Sequence, residues 1–208
     1  MLRLFRVSDN RAASWEPLTA IFPGYEAPVI RKTPDNEREA VLMRWGFILK
    51  RTGYAPKRVT NIRADKALTG FWRNSIEKRR CLIPASSYCE PHGSIRPAQW
   101  NWLTLKDEKE KRPLFAFPGA WMRYKGPVKK DGPEVEQEVY AFLTTEPNQL
   151  IVDELDHDRM PVLLTKGAEF ETWLSGSTEE ALRLVRSYAA DQMAIVQRGA
   201  DKKDLLAA

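Results

Sequence analysis

The apolar residues of this chain come almost entirely in strand-length runs, each stopped by Pro, Gly or a charged cluster, and this limits the fold more than any other feature. Ala40-Val41-Leu42-Met43-Arg44-Trp45 ends at Gly46, and Arg80-Cys81-Leu82-Ile83 is broken by Pro84 and Ser86-Ser87 before Tyr88-Cys89-Glu90-Pro91. Trp100 to Lys106 and Leu114 to Phe117 flank the charged turn Asp107-Glu108-Lys109-Glu110, and Val139 to Thr145 and Met160 to Leu164 follow. Helical spacing is rarer. Leu68, Phe71, Trp72 and Ile76 predict an amphipathic helix over 66–78, and Phe170, Trp173 and Leu174 predict one stopped at Gly176. Asn148 reads as the cap of a short helix over Leu150 to Leu155, and Ser177 with Glu180 as a capping box opening a helix over Ala181 to Tyr188. No βα alternation is present, so the expected class is α+β, strand-rich, with one domain over 1–198 and a polar tail over 199–208.

Between these runs lie Pro- and Gly-rich loops at 8–39, a basic loop at 50–58 (Lys50, Arg51, Lys57, Arg58) and a charged stretch at 125–138 read as surface loop. The opening Leu2, Leu4, Phe5 and Val7 read as the end of a helix or strand whose beginning is missing, because a polar lead-in is absent.

At 208 residues, 43% hydrophobic and 29% charged, the chain can bury a core without disulfide or metal. Its net charge of +5 favours a polyanionic partner. Cys81 and Cys89 are expected as buried thiols; with two His and no CxxC, no metal site and no cofactor are expected. No run approaches the length of a membrane span, and the N-terminus is too short and too charged for a signal peptide, so a cytoplasmic location is expected; a monomer is expected as well.

Four polar groups stand at the ends of strand-like runs: Asn61, Arg63, Glu90 and His157. Each has an ordinary structural explanation, as a turn residue, a solvated charge or a satisfied histidine. Together they are the components of one kind of site. Glu and His exchange protons near neutral pH, Asn orients a reacting group, Arg63, Arg44 and Arg159 offer phosphate contacts, and Trp45 offers a stacking face for a base. Residue chemistry alone ends there.

Several ordered blocks add a resemblance. Arg44-Trp45-Gly46-Phe47, Asn61-Ile62-Arg63-Ala64-Asp65, Arg80-Cys81-Leu82-Ile83-Pro84 leading to Tyr88-Cys89-Glu90, Thr144-Thr145-Glu146-Pro147-Asn148 and His157-Asp158-Arg159-Met160-Pro161 together resemble the SRAP family, the SOS response-associated peptidase-like proteins that process abasic sites in DNA. The resemblance implies a compact β-rich domain of curved, mostly antiparallel sheets with a few helices and a basic channel for single-stranded DNA. It also implies an N-terminal cysteine whose amine attacks the ring-opened abasic sugar and whose thiol closes a thiazolidine. By the same resemblance Asn61 positions the N-terminal residue, Glu90 shuttles protons, His157 assists as acid and base, Arg63 and Arg159 hold phosphates, and Trp45 and Thr144 line the groove with Arg44 beside them.

The departure is at the nucleophile, because Leu2 stands where the family carries its cysteine. The Met1 amine can form a reversible Schiff base but has no adjacent thiol, and Cys81 and Cys89 carry no α-amine. The stable crosslink is therefore not expected. The favoured explanation is a start set too far downstream or a truncated copy; the rival is a degenerate, non-catalytic single-strand-binding domain. A plain peptidase is the weakest reading, since no Cys/His pair occurs at recognisable spacing.

Overall fold

The computed structural model describes residues 2–205. The Met1 amine and the last three residues of the expected polar tail lie outside them. In chain order the elements are β1 (Asp9–Asn10), β2 (Glu26–Lys32), β3 (Arg38–Trp45), β4 (Phe47–Leu49), β5 (Lys57–Val59), β6 (Asn61–Arg63), α1 (Gly70–Lys78), β7 (Arg80–Ala85), β8 (Tyr88–Pro91), β9 (Trp100–Leu105), β10 (Phe115–Pro127), β11 (Glu134–Thr145), α2 (Gln149–Leu155), β12 (Met160–Pro161), α3 (Gly167–Ser175), α4 (Thr178–Leu182) and β13 (Met193–Gly199).

Five of these strands close on themselves. β3 pairs β2, β2 pairs β7, β7 pairs β10 and β10 pairs β11, all antiparallel. The ring shuts where β11 returns parallel to β3, with Val139 opposite Arg44 and Tyr140 opposite Trp45. The result is a β-rich α+β domain, mostly antiparallel, with a closed barrel-like sheet, as the strand-length runs implied.

Strand alternation sorts the barrel into two faces. Ile30, Ala40, Leu82, Ala116, Ala120, Ala141 and Leu143 share one buried cluster with Trp72 and Ile76 of α1 and Phe170 and Trp173 of α3. Helices do not fit within a ring of five strands, so this face is the outside, and its alanines let the helices approach closely. Trp173 is wholly buried, and its indole donates to the carbonyls of Cys81 at 2.9 Å and Gly119 at 3.2 Å, which fastens α3 across β7 and β10. The alternate residues, Val29, Val41, Met43, Ile83, Phe117, Tyr140 and Phe142, form a second cluster that fills the inside. That cluster continues into a separate three-stranded sheet, β13-β9-β8, through Tyr88, Leu103 and Met193, and into α2 through Ile151 and Leu155.

Several expected boundaries move. Residues 125–138 are not mainly loop: the β10–β11 ladder runs out to Pro127 opposite Glu134. Cross-strand pairing orders a charged, solvent-facing hairpin whose composition alone reads as loop. The expected 66–78 helix is a 3₁₀ turn at Ala64–Lys66 followed by α1 from Gly70. Ser177 and Glu180 form their capping box, but α4 ends at Leu182 rather than Tyr188. Leu2 to Val7 is a turn, not the end of an element, with Phe5 buried against Phe170 at 4.8 Å. Asn148 caps α2 as expected, its side chain accepting from the Ile151 amide.

Candidate functional site

β8 carries Glu90 at its outer end, opposite Asn101 of β9. On the other side α2 stops at Asp156, which takes the left-handed conformation (φ 50°) that an Asp tolerates, and His157 follows at once. Gly93 brings the two segments together. Its amide donates to the Leu155 carbonyl at 2.8 Å, and a β-carbon on it would lie 2.0 Å from the Asp156 carbonyl oxygen. Only glycine permits that approach.

The outcome is a carboxyl and an imidazole face to face, with His157 Nε2 3.9 Å from Glu90 Oε2. This is ion-pair distance, longer than a hydrogen bond. Burial pushes the Glu90 carboxyl up to about 7, while a charged His157 would pull it down. The other imidazole nitrogen, Nδ1, lies 3.0 Å from the Arg159 carbonyl. A carbonyl only accepts, so Nδ1 carries the proton in the neutral ring and Nε2 turns its lone pair toward Glu90. A carboxyl raised toward neutrality beside an accepting imidazole has the chemistry to pass a proton.

The end of β11 organises the remaining candidates. On one edge β6 runs parallel to it, setting Asn61 opposite Phe142 and Arg63 opposite Thr144. On the other edge Pro161 of β12 also lies opposite Thr144, just after His157 and Arg159. Arg159 donates to the Thr144 hydroxyl at 3.2 Å and to its carbonyl at 2.8 Å, and reaches Glu146 at 3.4 Å. Trp45 stacks on Phe142 with ring centres 5.4 Å apart, and its indole donates to the Thr60 carbonyl. Gly46, at φ 107°, turns the chain away there so that the Trp45 ring ends β3. Asn61 is exposed and makes no side-chain hydrogen bond to Glu90 or His157 among the described residues.

The structure therefore joins Glu90 to His157, Thr144 to Arg159, and Trp45 and Asn61 to Phe142. Arg44 stands apart, bonded to the Gly24 carbonyl at 3.1 Å and Glu26 at 3.2 Å, at the edge of a groove lined by Trp15, Leu18 and Tyr25. Each arginine has an acidic neighbour, Arg63 being forked onto Asp65 at 3.0 and 3.2 Å. Cys81 is wholly buried, and burial reinforced by the Glu90 charge pushes the Cys89 thiol up to about 12. Neither is a thiolate at neutral pH.

The family described as SOS response associated peptidase (SRAP) matches residues 1–199. The chain belongs to the SRAP family. A crystal structure of a Bordetella bronchiseptica protein is similar at 25% identity and a TM-score of 0.68, covering 94% of each chain. One from Bacteroides thetaiotaomicron is similar at 26% identity and 0.63, covering 84% of this chain and 75% of that one. A phage-related protein of Bordetella bronchiseptica, at 17% identity and 0.61, shares the fold over 84% of this chain and 78% of its own. Among curated proteins nothing matches the sequence. SRAP membership makes this a peptidase-like protein associated with the DNA-damage response, with DNA as the partner the family implies. No helix among the described residues is long and apolar enough to cross a membrane. Sequence reasoning missed Gly93 and Phe142 as the residues that assemble the SRAP candidates. Phe142 stood in a recognised strand, but which of its faces met Asn61 depended on a pairing the sequence does not display.

Proposed function

We propose that this SRAP chain recognises abasic sites in single-stranded DNA, with Glu90 and His157 moving protons at the ring-opened sugar. The observation that carries the reading is the Glu90 carboxyl, raised to about 7 and set 3.9 Å from the accepting nitrogen of His157. Protonated, Glu90 gives a proton to a sugar oxygen; ionised, it takes one back, and His157 holds the proton between steps. Asn61 orients the attacking group, Arg63 and Arg159 engage phosphates on either side of Thr144, and Trp45 offers its free face to a base, with Arg44 further out along the strand. The protein acts as a cytoplasmic monomer.

Family chemistry reaches a stable thiazolidine through an N-terminal cysteine, whereas Leu2 occupies residue 2 of this sequence. The second reading is recognition without a durable crosslink. Fluorescence anisotropy with labelled single strands, intact or bearing one abasic site, tests the first reading: tighter binding to the abasic strand is expected, weakening with added salt. Equal affinity for both strands overturns it. A denaturing gel of the same mixtures separates the two readings, because a heat-stable protein–DNA band requires covalent capture. In a variant beginning with cysteine, Glu90→Gln should slow capture more than it weakens binding.

A further inference from the structure

Buried side-chain polar atoms without a hydrogen-bond partner are uncommon, because each leaves a desolvated group uncompensated. Among the described residues they are Tyr88 Oη, Asn101 Oδ1, Trp102 Nε1 and Gln137 Nε2. Two of the four adjoin Glu90. Tyr88 lies two residues before Glu90 on β8, and Asn101 lies directly opposite Glu90 on β9. Alternation and cross-strand pairing put all three side chains on one face of the small sheet, the face that meets the core of the barrel through Tyr88 and Leu103. Trp102, opposite Cys89, belongs to the other face.

Neither group is loosely held. Tyr88 is 7% exposed, its ring packed edge-on against Phe117 at 6.1 Å. Asn101 is wholly buried, and its amide nitrogen donates to the carbonyls of Glu90 at 3.3 Å and Gln99 at 3.5 Å, which leaves the amide oxygen over. The Glu90 charge also adds to burial in raising the Tyr88 phenol, so the two groups lie within electrostatic reach.

We infer that Tyr88 Oη and Asn101 Oδ1, on the same sheet face as the Glu90 side chain, form a subsite for a neutral hydroxyl group of the bound ligand. An amide oxygen only accepts, a phenol both donates and accepts, and a hydroxyl meets both requirements at once. A phosphate oxygen, which has no proton to give, does not satisfy Asn101 Oδ1 and meets repulsion from an ionised Glu90. The inference rests on the abasic-site reading and sharpens it: the two residues discriminate a ring-opened sugar, which bears a free hydroxyl on C4, from a closed ether ring of similar size, which bears none.

Three labelled single strands test it by anisotropy: intact, carrying one tetrahydrofuran residue (no free hydroxyl), and carrying one borohydride-reduced abasic residue (open chain, hydroxyls on C1 and C4). The wild-type protein is expected to prefer the reduced strand over the tetrahydrofuran strand by about tenfold or more, since sites built around a ligand hydroxyl reject its absence strongly. Tyr88→Phe and Asn101→Ser should each remove most of that preference while leaving affinity for the intact strand unchanged. Tyr88→Phe should also melt no lower than wild type, because it deletes an uncompensated hydroxyl; a merely structural tyrosine would lower the melting temperature and leave the preference alone. Should one variant fail to fold, the other carries the test. Preference retained in the folded variants, or a wild type indifferent between the two lesion strands, overturns the inference alone. No preference for either lesion strand over the intact one overturns the abasic-site reading itself.

Discussion

Glu90 is held at a cost to the fold, and the sign of that cost is measurable. Its carboxyl moves from an ordinary 4.5 to about 7 on folding, chiefly through burial. The folded chain therefore keeps this proton to higher pH than the unfolded chain does. Stability falls as pH rises from about 4.5 through 7, and the full penalty, about 3 kcal/mol from the size of the shift, stands above it. Glu90→Gln, neutral throughout, should be more stable than wild type by roughly that amount at pH 8 and nearly equal to it at pH 4. Urea unfolding at the two pH values checks this; an equal difference at both would mean that Glu90 titrates like an exposed carboxylate. At this scale Glu90 and His157 stand out in the sequence as an acid and a base against apolar runs, and the structure sets them 3.9 Å apart. Tyr88 and Asn101 were not, because an orphaned hydroxyl or amide is a property of packing and leaves no mark on residue type.

Elements meet at the site through a single glycine. Gly93 lets the segment after β8 lie against the C-terminal end of α2, where a β-carbon would come within 2.0 Å of the Asp156 carbonyl. Gly93→Ala must push the two apart, strain the Leu155 hydrogen bond and let water reach Glu90. A loss of about 1–3 kcal/mol is expected. The Glu90 carboxyl should fall back toward its ordinary range, which a carbon-detected NMR titration reads directly; an unchanged midpoint would show that the clamp does not set the site. On the opposite face Trp173→Ala empties a buried indole site and frees the Cys81 and Gly119 carbonyls it binds. It should cost about 3–5 kcal/mol by urea unfolding; a loss under 1 kcal/mol would show α3 to be dispensable to the barrel. The core strands were legible because apolar alternation marks them. The outer β10–β11 hairpin was not: Glu134 to Glu138 is held by its partner strand rather than by its own composition.

For the molecule as a whole, residues 200–205, beyond the family match, are part of the fold. Asp204 is wholly buried, 92 residues from Arg112, whose guanidinium binds it at 3.0 and 3.2 Å. Ser87 donates to the same carboxylate at 2.7 Å, and the Asp204 amide donates to the Thr19 carbonyl at 3.0 Å. One residue thus ties the N-terminal loops, the β7–β8 turn that leads to Glu90, and the loop before β10. The charged run Asp201-Lys202-Lys203-Asp204 reads as part of a solvated tail; the buried charge becomes visible only when its distant partners are in place. Arg112→Ala withdraws the guanidinium from an enclosed carboxylate, and breaking such a pair from one side costs more than the pair itself contributes. A loss of about 3 kcal/mol is expected for Arg112→Ala. The double variant Arg112→Ala with Asp204→Asn should recover part of it, since the amide keeps the shape and removes the charge. Urea unfolding of the single and double variants decides the point: losses that simply add would mean that the carboxylate and the guanidinium act independently, and the segment would then be a passive covering rather than a tie.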